Sequence, residues 1–378
     1  MPINRKRLLA TFLELININA PSFDEDRLGG HLAEVFRCLG CKVIRQRYDR
    51  SFNIIARKKG SLKNILAPSG LLLEPLLLSA HMDTIEPTEG IRYAIKAGII
   101  RSTGGTVLGA DDKSAIAQII EAMTVLMEQN VPHGDIEVVI TSAEERGLCG
   151  AKNLDFRKIR SRHALVLDSG GPVGKIVVAA PTQITYEMRI TGRPAHAGIE
   201  PEKGISAIRV ASEIIASVPD GRIDAVTTAN IGIIRGGTAT NVVSREVVIN
   251  GEVRSHDPAT LRATQNAIFD RAKAVARQRQ AKVHIKVQEE YQAFRISPRE
   301  PFLVYMDNVF KEAGMRPEHT ATGGGSDANI FNQHGIVTLN LSTGMQKVHS
   351  HDEFIRIDDL VNGSLVVALA IRDFAEFK

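Results

Sequence analysis

Tryptophan is absent from this 378-residue sequence, and all aromatics together reach only 5%. Stacking platforms for single-stranded nucleic acid are therefore not expected. Charge of one sign is also missing, since 47 basic residues face 43 acidic ones for a net +4. No basic run exceeds Arg5-Lys6-Arg7 or Arg57-Lys58-Lys59, so the chain lacks the electrostatic footprint of a nucleic-acid partner. No apolar run approaches the roughly eighteen residues of a membrane span. Leu8–Leu13 follows basic residues as a signal peptide would, but Thr11 interrupts it and Glu14 stops it. No small-residue cleavage site follows. The expectation is a first amphipathic helix in a protein that stays in the cytoplasm, with no membrane contact.

Three cysteines cannot build a disulfide framework. Cys38 and Cys41 form a CxxC, yet a zinc ribbon needs a second pair and only Cys149 remains. A redox pair normally follows a strand and opens a helix. This one sits where the helical spacing Leu32, Val35, Phe36, Leu39 closes into Gly40. Packing cysteines in a reducing compartment are expected.

At 378 residues the chain exceeds one compact core, so two domains are expected. Apolar spacing predicts helices over 4–18 and 26–39, strands over 42–47, 52–57 and 76–80, a helix over 113–129, and strands over 136–141 and 163–167. Buried β-runs alternating with helices imply an α/β domain with a mainly parallel, helix-covered sheet. From about residue 181 the pattern changes. A strand over 184–191 alternates strictly, followed by a helix over 204–217, strands over 226–234 and 246–254, a charged helix over 258–280 and a strand over 282–289. That order fits an inserted α+β domain of ferredoxin-like type, with four antiparallel strands covered on one face. The α/β pattern returns with a helix over 301–313, a strand over 336–341 and a helix over 358–374. The catalytic domain is thus expected over 1–180 and 294–378, and the inserted one over 181–293.

Metal-binding residue types recur just after the expected strands. His81 and Asp83 follow 76–80 and share one strand face. The imidazole there suits a metal, and the carboxylate suits orienting the ring. Taken alone, the pair reads as a strand-end histidine beside a solvated aspartate. Asp111 and Asp112 precede the helix 113–129, where one carboxylate would serve as a cap, but two exceed what a cap needs. One of them can bridge two ions. Glu144 and Glu145 follow the buried strand 136–141, and adjacent carboxylates there are costly without cations. Two metals would remove the cost and divide the work, one glutamate as ligand and the other as general base. Asp168 ends 163–167, and His349, His351 and Glu353 lie beyond 336–341. Four of these five fragments fall at strand C-terminal ends, where open α/β sheets place their ligand crevice. Imidazole and carboxylate donors without cysteine suit zinc, with cobalt or manganese as alternatives. Two divalent ions would balance Asp111, Glu145, Asp168 and one hydroxide, leaving a neutral cluster.

In order, His81-Met82-Asp83-Thr84, Gly109-Ala110-Asp111-Asp112-Lys113, the Glu144-Glu145 pair, Leu167-Asp168-Ser169-Gly170-Gly171, Gly192-Arg193-Pro194-Ala195-His196-Ala197-Gly198 and His349…Glu353 resemble the zinc exopeptidase family of peptidase T, carboxypeptidase G and acetylornithine deacetylase. The resemblance spans nearly the whole chain and is nearest to the peptidase T-like branch. It implies that His81 and Asp168 bind one zinc and that Glu145 and His349 bind the other. Asp111 would bridge them, Asp83 would steady His81, and Glu144 would be the general base. His351 is a departure, because the family has one histidine in this stretch; the spacing to Glu353 favours His349. The resemblance also implies homodimerisation through the inserted domain, with His196 reaching a partner's active site to stabilise the oxyanion.

Asn241 and Arg254 resemble the residues that hold a substrate carboxylate, for which the arginine fork is suited. Without the resemblance they read as a turn and a strand-end surface arginine. Gly324 lies in Gly323-Gly324-Gly325-Ser326-Asp327, which opens a helix and offers backbone groups to a substrate. No GK[ST] follows, so a phosphate loop is not expected. The implied activity is metal-dependent hydrolysis of short peptides, releasing the N-terminal residue. Alternatives are an N-acyl amino acid amidohydrolase sharing the chemistry, a two-metal phosphoesterase, and a non-catalytic zinc-binding protein. The inserted-domain loop speaks against the phosphoesterase, and a scaffold has no use for Glu144.

Overall fold

The computed structural model describes residues 1–62 and 74–377 and divides into two compact units. The first comprises 1–178, 296–321 and 326–378; the second comprises 179–295 with 322–325.

The first unit is built on a mixed sheet whose centre is parallel. Along the sheet the order is Lys42–Tyr48, Ser51–Lys58, Ile136–Thr141, Leu76–His81, His163–Ser169, Val337–Ser342 and Lys175–Ala180. Ile136–Thr141, Leu76–His81, His163–Ser169 and Val337–Ser342 pair in parallel. The flanking strands pair antiparallel. The central strands read as unbroken apolar runs because both faces are covered: every residue of Leu76–His81 and of Ile136–Thr141 is buried. Parallel strands all end on one edge, so His81 and the segments after Thr141 and Leu167 meet there.

The helix Ala110–Glu128 is buried on most faces and largely apolar, as a helix enclosed by protein is, with Lys113, Gln118 and Glu121 as buried polar exceptions. It packs on the sheet and against Arg5–Ile16 and Ile357–Asp373. Its first turn is not helical: Asp111 (φ −83°, ψ 105°) and Asp112 (φ −119°, ψ 27°) are extended or bridging, and regular helix begins at Lys113. The aspartates are thereby turned off the helix axis, and the peptide between them is cis.

Sequence periodicity did not mark a small second sheet in this unit. Its order is Met345–Gln346, Phe354–Arg356, Ile99–Ser102 and Tyr93–Lys96. A two-residue turn at Ala97-Gly98, both with positive φ, closes its hairpin as twist-compatible type I′ turns do. Pairing of Phe354–Arg356 with Ile99–Ser102 anchors the loop that carries His349.

Cys38 and Cys41 are free; Cys38 is exposed, so the packing expected of it is not seen, while Cys41 is buried. Burial pushes the Cys41 thiol up to about 11, which suits packing rather than redox chemistry.

The second unit is an antiparallel sheet with two helices on one face. Its order is Gly221–Arg222, Thr227–Gly236, Glu246–Ser255, Thr182–Thr191 and Lys282–Tyr291. Four strands were expected; the fifth, Gly221–Arg222, is two residues long and carries no legible period. Thr182–Thr191 alternates buried and half-buried residues along its whole length. Ile184, Tyr186, Met188 and Ile190 point into a core shared with Val210 and Ile214 of Ala207–Ser217 and with Ile268, Phe269 and Val275 of Pro258–Gln278.

Candidate metal centre

His81 is the last residue of its strand and is only 2% exposed. Its Nδ1–H donates to the Asp83 carbonyl at 2.9 Å, and Nδ1 lies 3.5 Å from Asp83 Oδ1. A carbonyl only accepts, so this contact fixes the tautomer and leaves the Nε2 lone pair for a metal. Nε2 faces Asp111 Oδ1 at 3.1 Å, with Asp168 Oδ1 at 3.9 Å. Asp112 turns the other way and accepts the His81 backbone N–H at 3.2 Å.

The other Asp111 oxygen, Oδ2, lies 3.2 Å from His349 Nε2, which is also 2.9 Å from Glu145 Oε1. The two oxygens of one carboxylate thus face two different histidines. His81, Asp111 and Asp168 offer ligand atoms within 4.8 Å of one another, as do Asp111, Glu145 and His349. A third such group joins His81, Glu144 and Glu145. His351 is exposed and belongs to none of these groups among the described residues.

This donor set fits two divalent cations that share Asp111. The electrostatics point the same way. Burial first, and then the charge of Asp168, holds the Glu144 carboxyl well above the ordinary range. Burial also raises Asp168, with Asp111 and Glu145 adding to it. Repulsion among buried carboxylates is the cost that cations remove. Asp111 is desolvated too, yet hydrogen bonds from His349 and His81 hold it below the ordinary range.

Hydrogen bonds with Asp111 and Glu145 push the His349 imidazole up to about 10 from 6.5. In the metal-free protein the imidazolium pairing is fully present below pH 6.5 and is lost as pH rises toward about 10. A metal must displace that proton, so apparent metal affinity should rise across the same window. Chelator competition at several pH values measures this, and pH-independent affinity would contradict His349 as a ligand.

Three buried groups hold the ligand-bearing turns; the sequence marked Asp83 and Glu353 among them, but not Asn340. Glu353, 1% exposed, accepts the N–H groups of Leu108 (2.7 Å), Gly109 (2.8 Å) and Asp111 (3.0 Å). The spacing from His349 to Glu353 therefore ties one ligand loop to the other. Asn340 grips the Asp168 backbone on both sides: its Oδ1 accepts the N–H and its Nδ2 donates to the carbonyl, each at 3.0 Å. Asp83 accepts the Glu144 N–H at Oδ1 (2.9 Å) and, at Oδ2, the Glu145 N–H (3.2 Å) and the Ser22 hydroxyl (2.7 Å). Burial works against the Asp83 anion, but hydrogen bonds from His81, Ser22 and Glu144 prevail and keep it below the ordinary range.

The remaining expected site residues lie in the second unit and form two groups. His196 pairs with Val242 in an isolated antiparallel bridge, and the Ala197 N–H donates to the Asn241 carbonyl at 2.9 Å. Both His196 and Asn241 are exposed. Arg254 is half-buried, and its Nε and Nη2 donate to the two oxygens of Glu252 at 2.8 and 3.0 Å. One side of its fork is thereby occupied, while Nη1 points toward Tyr291 Oη and the Gly323 carbonyl, each at 3.4 Å. The Gly324 N–H donates to Thr322 Oγ1 at 3.2 Å. At Gly325 a Cβ would come within 2.2 Å of the Tyr291 ring, which accounts for that glycine.

The model of peptidase family M20/M25/M40 matches residues 77–373. A protein of Bacillus subtilis strain 168, YqjE, is 38% identical over 374 residues, covering 99% of this chain and all of that one. The crystal structure of aminopeptidase PepT from Bacillus cereus ATCC 10987 is 37% identical, with a TM-score of 0.88 over 99% of both chains. That of a tripeptidase from Staphylococcus aureus Mu50 is 34% identical, with a TM-score of 0.92 over the whole of both chains.

Proposed function

The chain belongs to peptidase family M20/M25/M40 and is a peptide-hydrolysing exopeptidase of the peptidase T-like kind; from that membership we propose that it is a cytoplasmic two-zinc aminopeptidase releasing the N-terminal residue of short peptides, tripeptides first among them. The observation that carries the metal reading is the Asp111 carboxylate, whose two oxygens face His81 and His349 at 3.1 and 3.2 Å. The aminopeptidase and tripeptidase names of the two solved structures support the substrate class.

In this reading His81 and Asp168 would hold one ion, Glu145 and His349 the other, and Asp111 would serve both. When bound there, the ions supply Lewis acidity toward the scissile carbonyl and the attacking water. Zinc suits the donor set best, with cobalt or manganese as alternatives. Glu144 takes the proton of the attacking water and passes it to the leaving amine. Asp83 keeps the His81 ring in the tautomer that leaves Nε2 free. Asn241 and Arg254 hold the substrate carboxylate, with Arg254 offering Nη1 because Glu252 occupies its other nitrogens, and the Gly324 segment faces the substrate through backbone groups.

We place a homodimer contact on the second unit. Gly221–Arg222 pairs only with Thr228 and Ala229, so among the described residues no strand covers that side of Asn230–Gly236. Ile233 and Ile234 on that stretch are exposed. An uncovered edge with apolar residues is a template for strand pairing, here with a second copy, which would supply His196 across the interface to stabilise the oxyanion.

The test is hydrolysis of free tripeptides, N-blocked tripeptides, dipeptides and N-acetyl amino acids, each with and without added zinc, cobalt or manganese. Metal-dependent release of the N-terminal residue from free tripeptides is expected. Preference for N-acetyl amino acids would move the protein to the amidohydrolase reading with the same metal centre.

A further inference from the structure

The turn that carries Glu144 and Glu145 is not one the chain would adopt unaided. Ala143 sits in the left-handed region (φ 48°, ψ 41°) without being glycine, and Glu144–Arg146 is a single 3₁₀ turn ending at Gly147 (φ 90°). A left-handed non-glycine residue costs on the order of 1 kcal/mol and persists only when its surroundings hold it.

What holds it is a pair of buried carboxylates. The backbone N–H groups of residues 143, 144 and 145, in succession, all end on carboxylate oxygens. Ala143 donates to Glu25 Oε1 at 3.0 Å, Glu144 to Asp83 Oδ1 at 2.9 Å and Glu145 to Asp83 Oδ2 at 3.2 Å. Glu25 is 1% exposed and forms no ion pair with a described cation. Its other partners are the Phe23 N–H on Oε1 (2.8 Å) and the Ser51 hydroxyl on Oε2 (2.8 Å).

One short loop joins the two carboxylates. Ser22, three residues before Glu25, donates to Asp83. The loop is strapped to the segment after His81 by the Pro21–Thr84 bridge and by the Thr84 N–H on the Ala20 carbonyl. Burying an unpaired carboxylate is expensive. The helix Asp26–Cys38 begins just after Glu25 and offsets part of that cost through its dipole. A residue wanted only for packing has no need of polar oxygens here, whereas taking two N–H groups on one oxygen and a hydroxyl at the other position does need them.

We infer that Glu25 is a positioning residue of the hydrolytic centre, holding the Ala143 N–H so that Glu144 and Glu145 point at substrate and metal. This rests on the assignment of Glu144 as base and Glu145 as ligand. Without Glu25 the Ala143 N–H is left buried and unpaired, and the turn relaxes. Misplacement of a reacting group by about 1 Å costs roughly a hundredfold in rate.

The experiment compares full-length, zinc-loaded E25A, E25D and E25Q with the parent. It reads kcat and KM on a free tripeptide per metal-loaded chain, and zinc affinity by chelator competition. For E25A, kcat per loaded chain should fall by roughly ten- to a hundredfold, and zinc affinity by about tenfold, with KM within about threefold. Glu25→Gln should recover most of kcat, because its amide oxygen still accepts both N–H groups and its NH₂ can donate to Ser51. If E25A does not fold, E25D takes its place: one methylene shorter, it cannot reach Ala143 and Ser51 together, and it should show the same loss. A purely structural role would lower the yield and melting temperature yet leave kcat and zinc affinity per loaded chain at the parent values, and that result overturns the inference. Glu144→Gln is run alongside. An active E144Q refutes the underlying base assignment, whereas an inactive E144Q beside an E25A of parental kcat refutes only the role of Glu25.

Discussion

Replacing Glu144 by Gln is expected to lower kcat by about 10²–10⁴-fold, the usual contribution of a general acid–base group, with bound metal and KM little changed. Gln keeps the size of the side chain and the backbone N–H that Asp83 accepts, so the turn and the neighbouring Glu145 stay in place. What is lost is the ability to take a proton. A second consequence has the opposite sign. Glu144 adds a desolvated carboxylate to a site that already contains Asp168, Asp327 and Glu145. Burial keeps this carboxyl protonated in the metal-free fold while the unfolded chain ionises it near neutral pH, so Gln should raise the melting temperature of the metal-free protein there while abolishing turnover. Steady-state kinetics on a tripeptide and calorimetry of the metal-free protein check the two halves. An E144Q enzyme with more than about a tenth of parental kcat would remove Glu144 from the proton-transfer role.

Asp111→Ala should be at least as damaging, by a different route. Asp111 is the one residue common to the His81–Asp168 and Glu145–His349 groups, so its loss weakens both ion sites together. Activity should fall by at least about a thousandfold, since Lewis acidity and activation of the water go at once. Stability should register the loss as well. A ligand present at a thousand times its Kd stabilises a folded protein by about 4 kcal/mol; the parent should show a metal-induced rise in melting temperature that D111A lacks. The metal-free mutant should differ in a further respect. His81 and His349 lose the carboxylate that raises both, so their pH dependence should move back toward ordinary histidine behaviour.

Much of the catalytic unit was legible because its central strands are covered on both faces. Leu76–His81 and Ile136–Thr141 show as apolar runs that stop abruptly at polar residues, and those stops are where the ligands sit. The second unit was legible through the strict alternation of Thr182–Thr191. The hairpin from Tyr93 to Ser102 was not, because Tyr93–Lys96 is exposed throughout and each strand is only four residues long. That hairpin nonetheless seats the His349 loop. Lys175–Ala180 was missed as well, being a short apolar run without a helix beside it.

Within the site, residue types and spacing marked the ligand candidates and Asp83, but not what Glu25, Asn340 and Glu353 hold in place. Glu25, Asn340 and Glu353 act on backbone groups 118, 172 and up to 245 positions away. Contacts of that range leave no local period, and a buried glutamate bound to N–H groups looks in sequence like any surface glutamate. The adjacent pairs show the same limit. Asp111-Asp112 announced more than a cap, yet only the non-helical backbone there shows Asp111 turned toward both histidines and Asp112 toward the His81 N–H.

Locating metal by anomalous diffraction from crystals of the zinc-loaded protein, collected on both sides of the zinc edge, decides whether this is a two-ion centre. The expected result is two peaks per chain, one beside His81 and Asp168 and one beside Glu145 and His349, with Asp111 touching both, and neither in D111A. A single peak, or a pair that leaves Asp111 without contact, would contradict the bridged centre and the division of roles built on it.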